Sequence, residues 1–212
     1  MNWRKRLTGR YLLMSPQETE LFSAIRPVVA ALQQCDVAYY VCGSVASGVF
    51  GEPRQTLDAD IVAAMWGRHV APLVSRLAGD YYVDEPMILR AIEHQFSFNL
   101  IHLATMVKVD IYVSWRSDFA RSQFGRRVRA NISTDTPLEI YLASAEDTIL
   151  SKLDWYRQGG SVSDRQWRDV LGVLKVQAGT LDRAYLRDWA ARLDLTDLLR
   201  RAIDDAGLPP DP

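Results

Sequence analysis

Apolar residues recur along this chain at two spacings, one typical of helices and one typical of strands. The segment up to Gln34 has helical spacing, carried by six apolar residues: Leu21, Phe22, Ile25, Val28, Val29 and Leu32. Ser15 is expected to cap this helix, with Pro16 at its first position and Glu18 in reach of a capping box. The pattern therefore predicts an amphipathic helix at the start of the fold.

Strand patterns follow in two groups. Residues 38–42 and 56–64 predict two strands on either side of a short helix over 44–50. Residues 96–100 and 108–114 alternate apolar and polar positions, and their short connection predicts an antiparallel hairpin. Weaker patterns predict a helix over 70–77, a strand over 81–83, helical turns over 86–93, a basic helix over 118–129 and a strand over 138–142.

After Ser144 the pattern predicts helices only. The first has four apolar residues on one face and ends at Gly159-Gly160; these residues are Ile149, Leu150, Leu153 and Tyr156. Ser163 is expected to begin the second helix, and residues 182–193 and 195–206 predict two more. The chain is therefore predicted to be an α/β (α+β) protein, with an α/β core over residues 1–143 and a helical C-terminal domain over 144–212.

Composition narrows the class of protein. The 212 residues are 48% hydrophobic and 24% charged, which is typical of a globular protein, and the net charge of −1 excludes a global basic field for polyanions. The apolar runs are too short for a membrane span, and the stretch after the basic N-terminus is too short for a signal-peptide core. Cys35 and Cys42 are expected to be buried thiols. We therefore expect a cytoplasmic protein with no membrane partner.

Three aspartates stand out on the predicted strands. Asp58 and Asp60 share one strand face because they are two positions apart, while Leu57, Ala59 and Ile61 are expected to point into the core. Asp110 lies on the polar face of its own strand and would join them if the two strands pair. By itself, an Asp-x-Asp pair is more often solvated. Three converging carboxylates without His or Cys favour Mg²⁺ or Mn²⁺.

Gly43-Ser44 connects the first strand to the short helix. Glycine lets the backbone approach a ligand closely, and Ser44 offers a hydroxyl and helix N-terminal amides to a phosphate. A plain strand-to-helix turn is the alternative.

Gly43-Ser44, thirteen residues, Asp58-Ala59-Asp60-Ile61 and then Asp110 on a later strand resemble the DNA polymerase beta-like nucleotidyltransferase superfamily. The resemblance implies a mixed-sheet core flanked by helices. It also implies transfer of a nucleoside monophosphate from an NTP substrate to a hydroxyl acceptor, with release of pyrophosphate. Gly43 and Ser44 would hold the triphosphate, Asp58 and Asp60 would bind Mg²⁺, and Asp110 would complete the site.

The helical half carries a second resemblance. Residues 145–153 and 165–169 are similar to bacterial nucleotidyltransferases of the abortive-infection type, which occur in toxin–antitoxin systems. This implies that Lys152 contacts the nucleotide phosphates and that Asp169 completes the site. A solubilising lysine is the alternative for Lys152, and Asp164 with Arg168 could form a surface ion pair.

A basic segment follows the hairpin and contains Arg116, Arg121, Arg126, Arg127 and Arg129. Arginine suits bidentate phosphate contacts, so this segment is a candidate for binding a triphosphate or a nucleic acid. Arg127, close after Gly125, is the candidate nucleotide contact. A solvated helix face paired with nearby acids is the alternative.

Three hypotheses of function remain. The intact acid set favours a metal-dependent nucleotidyltransferase. The resemblance of the helical half implies that it could be the toxin of a toxin–antitoxin pair. A catalytically inactive scaffold acting as a regulatory or antitoxin partner is the second. A nucleic-acid binder using the basic segment is the third, and the near-neutral charge weighs against it. The acceptor stays open among tRNA, a protein and a small molecule such as an aminoglycoside.

Overall fold

The computed structural model describes residues 16–131 and 139–209. The helices, in chain order, are α1 (Pro16–Gln34), α2 (Gly43–Phe50), α3 (Val70–Leu77), α4 (Glu85–His94), α5 (Asp118–Arg126), α6 (Ala145–Gln158), α7 (Asp164–Gln177), α8 (Arg183–Arg192) and α9 (Thr196–Asp205). A 3₁₀ turn, Gly67–His69, precedes α3. The strands are β1 (Tyr39–Val41), β2 (Asp58–Ala63), β3 (Tyr81–Tyr82), β4 (Ser97–His102), β5 (Lys108–Val113), β6 (Val128–Asn131) and β7 (Glu139–Leu142).

Residue contacts divide the chain into two compact units. The first unit comprises the chain up to Cys42 together with Gln55–Leu142, and the second comprises Gly43–Arg54 together with the chain from Ala143. Helix α2 and the loop after it therefore group with the C-terminal helices, although the sequence pattern placed a boundary only near residue 143.

The first unit contains one mixed sheet, with described strands in the order β3-β4-β5-β2-β1-β7-β6. Strands β2 and β5 pair in parallel, as do β1 and β7, while the other neighbouring strands are antiparallel. Strict alternation explains the central pair, since Ala59, Ile61, Val109 and Ile111 are fully buried while the residues between them face away from the core. The predicted α/β fold with a mixed sheet is confirmed.

Three details of the first unit differ from the sequence patterns. Leu57 is 76% exposed rather than buried, because β2 begins only at Asp58 and Leu57 precedes the alternating ladder. The basic helix ends at Arg126, and residues 128–131 form strand β6 against β7. Cys35 and Cys42 are free thiols of intermediate rather than full burial.

Some predictions fall outside the described part of the chain. These are the cap at Ser15, the side chain of Glu18, the basic N-terminus and Leu138 at the start of the predicted last strand. Among the described residues, no helix has both the length and the apolar character needed to cross a membrane.

The second unit is helical, and serine caps begin two of its helices, at Ser144 and, as predicted, at Ser163. The Ser144 hydroxyl accepts a hydrogen bond from the Asp147 amide, and the Ser163 hydroxyl accepts one from the Gln166 amide. Helix α6 ends at Gly159 as expected, and Gly160 follows with a φ of +75°. These caps fix the ends of α6 and α7, the two helices that carry Lys152 and Asp169.

Candidate functional site

Two acidic positions of the first unit become neighbours through the pairing of β2 and β5. The parallel register places Asp60 opposite Asp110 and Asp58 opposite Lys108. Adjacent strands lie about 4.8 Å apart, so the side chains of register partners share one stretch of the sheet face. The strands pair as the sequence prediction of a shared carboxylate face requires.

Lys108 interacts with these carboxylates, a role that the sequence interpretation did not assign to it. Its Nζ lies 2.7 Å from Asp110 Oδ2. The hydrogen bond to Asp110 raises the pKa of Lys108, and the charges of Asp58 and Asp60 raise it further. An ammonium group therefore supplies positive charge where the sequence predicted a divalent metal ion. The alternation that placed Lys108 on the same strand face as Asp110 was the signal for this contact.

The donor chemistry of this face fits a hard cation. Asp58, Asp60 and Asp110 offer only carboxylate oxygens, which suit Mg²⁺ or Mn²⁺. Within residues 16–131 and 139–209, no group of three or more His, Cys, Asp or Glu side chains is arranged closely enough to hold a metal ion. In this arrangement one of the three carboxylates, that of Asp110, is bonded to Lys108.

Two hydroxyl groups accompany the acids. The Thr56 hydroxyl donates to Asp58 Oδ1 at 2.7 Å, which orients that carboxylate at the start of β2. Burial raises the pKa of Tyr112, and the charges of Asp60 and Asp110 raise it further. The Tyr112 phenol therefore stays protonated around neutral pH and presents a neutral polar group on the carboxylate face.

In the second unit, the structure brings together Lys152 and Asp169, the two residues that the helical resemblance singled out. Lys152 Nζ lies 2.7 Å from Asp169 Oδ2 and donates a second hydrogen bond to Gln166 Oε1 at 3.1 Å. Both charged side chains are only 6% exposed. Lys152 is therefore a buried, paired lysine rather than a solubilising surface charge.

Arg54 completes this group and was not recognised as a site residue from the sequence. Its Nε lies 3.0 Å from Asp169 Oδ1 and its Nη2 lies 3.1 Å from Oδ2, so the guanidinium binds the carboxylate in bidentate fashion. The same Nη2 donates to the Ser44 hydroxyl in the first turn of α2. No local pattern connects Arg54 with Asp169, which lies 115 positions away.

Electrostatics explain why Asp169 is ionised although it is buried. Burial by itself raises the pKa of this carboxyl, but hydrogen bonds and charge attraction from Arg54 and Lys152 outweigh that effect and lower it below its usual range. Gly43, which directly precedes Ser44 in the chain, has a φ of +58°, a conformation that favours glycine over other residues.

The basic segment is engaged mainly in local contacts. Arg121 forms an ion pair with Asp118. Arg129 Nη1 lies 3.4 Å from Glu139 Oε1, and Arg129 Nε donates a hydrogen bond to the Tyr141 hydroxyl. Arg127, the candidate nucleotide contact, donates to the Phe124 carbonyl and lies over the Tyr141 ring at 4.6 Å. These contacts favour the alternative of a basic surface that is paired with its own surroundings.

Comparison with known proteins identifies the fold. The antibiotic-resistance factor ANT(2'')-Ia in solution is similar with a TM-score of 0.55 at 14% identity, over 86% of this chain and 99% of that one. A crystal structure of ANT(2'')-Ia with adenylyl-2''-tobramycin has a TM-score of 0.55 at 12% identity, over 81% and 95%. An antigenic nucleotidyltransferase-like protein from Paracoccidioides brasiliensis has a TM-score of 0.53 at 18% identity, over 89% and 92%. The chain has the nucleotidyltransferase fold.

Neither a protein-family model nor a curated protein matches the sequence.

Proposed function

We propose that this protein is a metal-dependent nucleotidyltransferase that moves a nucleoside monophosphate from an NTP to a hydroxyl acceptor. The observation that carries the proposal is the parallel register of β2 and β5. It sets Asp60 beside Asp110, with Asp58 two residues earlier on the same face. This acid set was expected from the resemblance, and it occurs on a fold shared with nucleotidyltransferases.

Asp58 and Asp60 would hold Mg²⁺ or Mn²⁺, and Asp110 would complete the set. A bound divalent ion would supply charge neutralisation for the phosphates and for the developing charge of the transferring group. The residues of this chain would then hold the reacting groups in position. Thr56 orients Asp58, and Tyr112 offers a neutral hydroxyl on the same face.

In the reaction, the acceptor oxygen forms a bond to the α-phosphorus of the NTP. The bond from that phosphorus to the bridging oxygen of pyrophosphate breaks, and the hydroxyl proton passes to a carboxylate, for which Asp110 is the candidate. Gly43, Ser44 and Lys152 were assigned to the triphosphate by resemblance. Most of the rate gain in such transfers comes from positioning and electrostatic stabilisation.

A small-molecule hydroxyl is the acceptor to test first. ANT(2'')-Ia, which has the same fold, was solved with adenylyl-2''-tobramycin. The toxin-type function, with tRNA or a protein as acceptor, rests on the resemblance that singled out Lys152 and Asp169 in the helical half. Those two residues were picked from the sequence because of their similarity to abortive-infection enzymes.

The decisive experiment uses each of the four NTPs, labelled at the α-phosphate, with Mg²⁺ or Mn²⁺ and three acceptor pools: tRNA, cell-extract protein and a panel of aminoglycosides. We expect label in one pool with the wild-type protein and none with the Asp58→Asn/Asp60→Asn double variant. Asp118→Asn, an exposed acid of α5, is the matched control and should transfer normally.

A wild-type protein that transfers no label and binds no NTP would instead support the catalytically inactive regulatory or antitoxin partner. Label transfer that the double variant retains would refute the assignment of the acids.

A further inference from the structure

Lys152 was assigned to the nucleotide phosphates by resemblance, but its side chain is buried and paired within the second unit. Its side chain is 6% exposed, and its ammonium donates to Asp169 at 2.7 Å and to Gln166 at 3.1 Å. A buried ammonium is stable only when it is paired, and freeing it for a ligand would leave Asp169 without one of its two cations.

Asp169 links this lysine to a more exposed cation. One oxygen, Oδ2, accepts from both Lys152 and Arg54, while Oδ1 accepts from Arg54 Nε. Both carboxylate oxygens thus accept hydrogen bonds, and the carboxylate fixes the plane of the guanidinium through two parallel hydrogen bonds. Arg54 and Lys152 together lower the pKa of this carboxyl, so Lys152 acts on Arg54 only through Asp169.

Arg54 is the exposed end of this chain of contacts. Its side chain is 28% exposed, compared with 6% for Lys152 and for Asp169. Its Nη2 also reaches the hydroxyl of Ser44, the residue that the sequence assigned to a phosphate. The charge of this partly exposed guanidinium can act on a phosphate beside Ser44, whereas the more deeply buried ammonium of Lys152 is not placed to do so.

We infer that Arg54 is the residue of the second unit that contacts the polyphosphate of the nucleotide, beside Ser44, and that Asp169 and Lys152 are positioning residues that hold it. This inference rests on the proposed function, whose nucleotide it assigns to a specific side chain. It moves the phosphate contact from Lys152 to a residue 98 positions earlier in the chain.

The first test measures binding of the α,β-methylene analogue of ATP by calorimetry, in the presence of Mg²⁺. Arg54→Gln should raise Kd about tenfold or more, since a lost charge-assisted contact accounts for that factor. Arg54→Lys should raise it by a smaller factor, because the charge stays while the planar fork is lost. Arg200→Gln, an exposed arginine of α9 in the same unit, is the control and should leave Kd unchanged.

The second test is a double-mutant cycle between Arg54→Gln and Asp169→Asn, read as Kd for the same analogue. If Asp169 acts by holding Arg54, Asp169→Asn should weaken binding about three- to tenfold in the wild-type background and by less than about twofold in Arg54→Gln. A purely structural Asp169 would weaken binding equally in both backgrounds. Circular dichroism and urea unfolding establish that each variant is folded, and Arg54→Lys retains a readout if Arg54→Gln is not.

The outcomes separate this inference from the function on which it rests. Equal Kd values for wild-type protein and Arg54→Gln would overturn the phosphate contact by Arg54, and additive effects in the cycle would overturn the positioning role of Asp169; either result leaves nucleotidyl transfer intact. A wild-type protein that neither binds the analogue nor transfers label would overturn both.

Discussion

Lys108 Nζ lies 2.7 Å from Asp110 Oδ2, on the strand that pairs with the Asp58–Ala63 strand in parallel register. The lysine is also the register partner of Asp58, so its ammonium lies on the face that carries all three acids. Its charge stabilises carboxylates that would otherwise repel one another, and it competes for the same oxygens as a divalent ion.

Replacing this lysine should therefore strengthen metal binding. We expect Lys108→Met to lower the Kd for Mn²⁺ about three- to tenfold, a modest factor because Lys108 is 48% exposed and solvent screens its charge. Titration followed by the electron paramagnetic resonance signal of free Mn²⁺ measures this directly. Lys175→Met, an exposed lysine of α7, is the matched control. Unchanged or weaker Mn²⁺ binding in Lys108→Met would mean that the lysine does not compete with the metal.

Asp60 should be required for activity but not for folding. Asp60 lies directly opposite Asp110, and like charges at that position in a sheet are destabilising. We expect Asp60→Asn to reduce label transfer about 100-fold or more while leaving the thermal unfolding midpoint unchanged or higher. A transfer assay and a circular dichroism melt on the same preparation provide both readouts. A large fall in the melting temperature would assign Asp60 to the fold instead.

The sequence was most informative where local chemistry determines the structure. Alternation predicted the faces of β2 and β5, and Ser163 predicted where one of the C-terminal helices begins. Strand β6 was missed because its arginine and asparagine positions continued the polar pattern of α5, and it forms only by pairing with β7.

Part of the candidate site was beyond prediction for a related reason. The three acids could be recognised on their strand faces, but the register that sets Asp60 beside Asp110 depends on strands far apart in sequence. Arg54 and Asp169 meet across 115 positions with no periodic signal between them. Lys152 was found only by resemblance, and its burial follows from the packing of α6 and α7 rather than from its own segment.

The buried carboxylate of Asp169 should make the stability of the protein depend on pH. Its pKa is lowered in the folded state, so its contribution is present above the unfolded value of about 3.9 and is lost as the pH falls through the folded value. Asp169→Asn removes this contribution and leaves Lys152 buried without its anion, which costs about 3 kcal/mol at pH 7.

Urea unfolding between pH 3 and pH 7 tests this expectation. The difference in the free energy of unfolding between wild-type protein and Asp169→Asn should be largest near pH 7 and should shrink below about pH 4. Asp197→Asn, an exposed acid on α9, should show a small difference that varies little with pH. If the difference in the free energy of unfolding between wild-type protein and Asp169→Asn stays constant down to pH 3, the charge of Asp169 does not stabilise the fold.

The loop after α2 approaches α7 so closely that Gly51 has no room for a side chain. A Cβ atom on Gly51 would lie 2.8 Å from the Val173 amide nitrogen and 2.9 Å from the Gly172 carbonyl carbon, and backbone atoms cannot swing aside. We therefore expect Gly51→Ala to lower the free energy of unfolding by about 1–3 kcal/mol, measured in urea. Gly125→Ala is the control, since a Cβ there meets nothing within 4 Å and alanine favours the helix. If Gly51→Ala is as stable as Gly125→Ala, α2 and α7 are not packed at this distance, and the loop that carries Arg54 is not held against α7 as described.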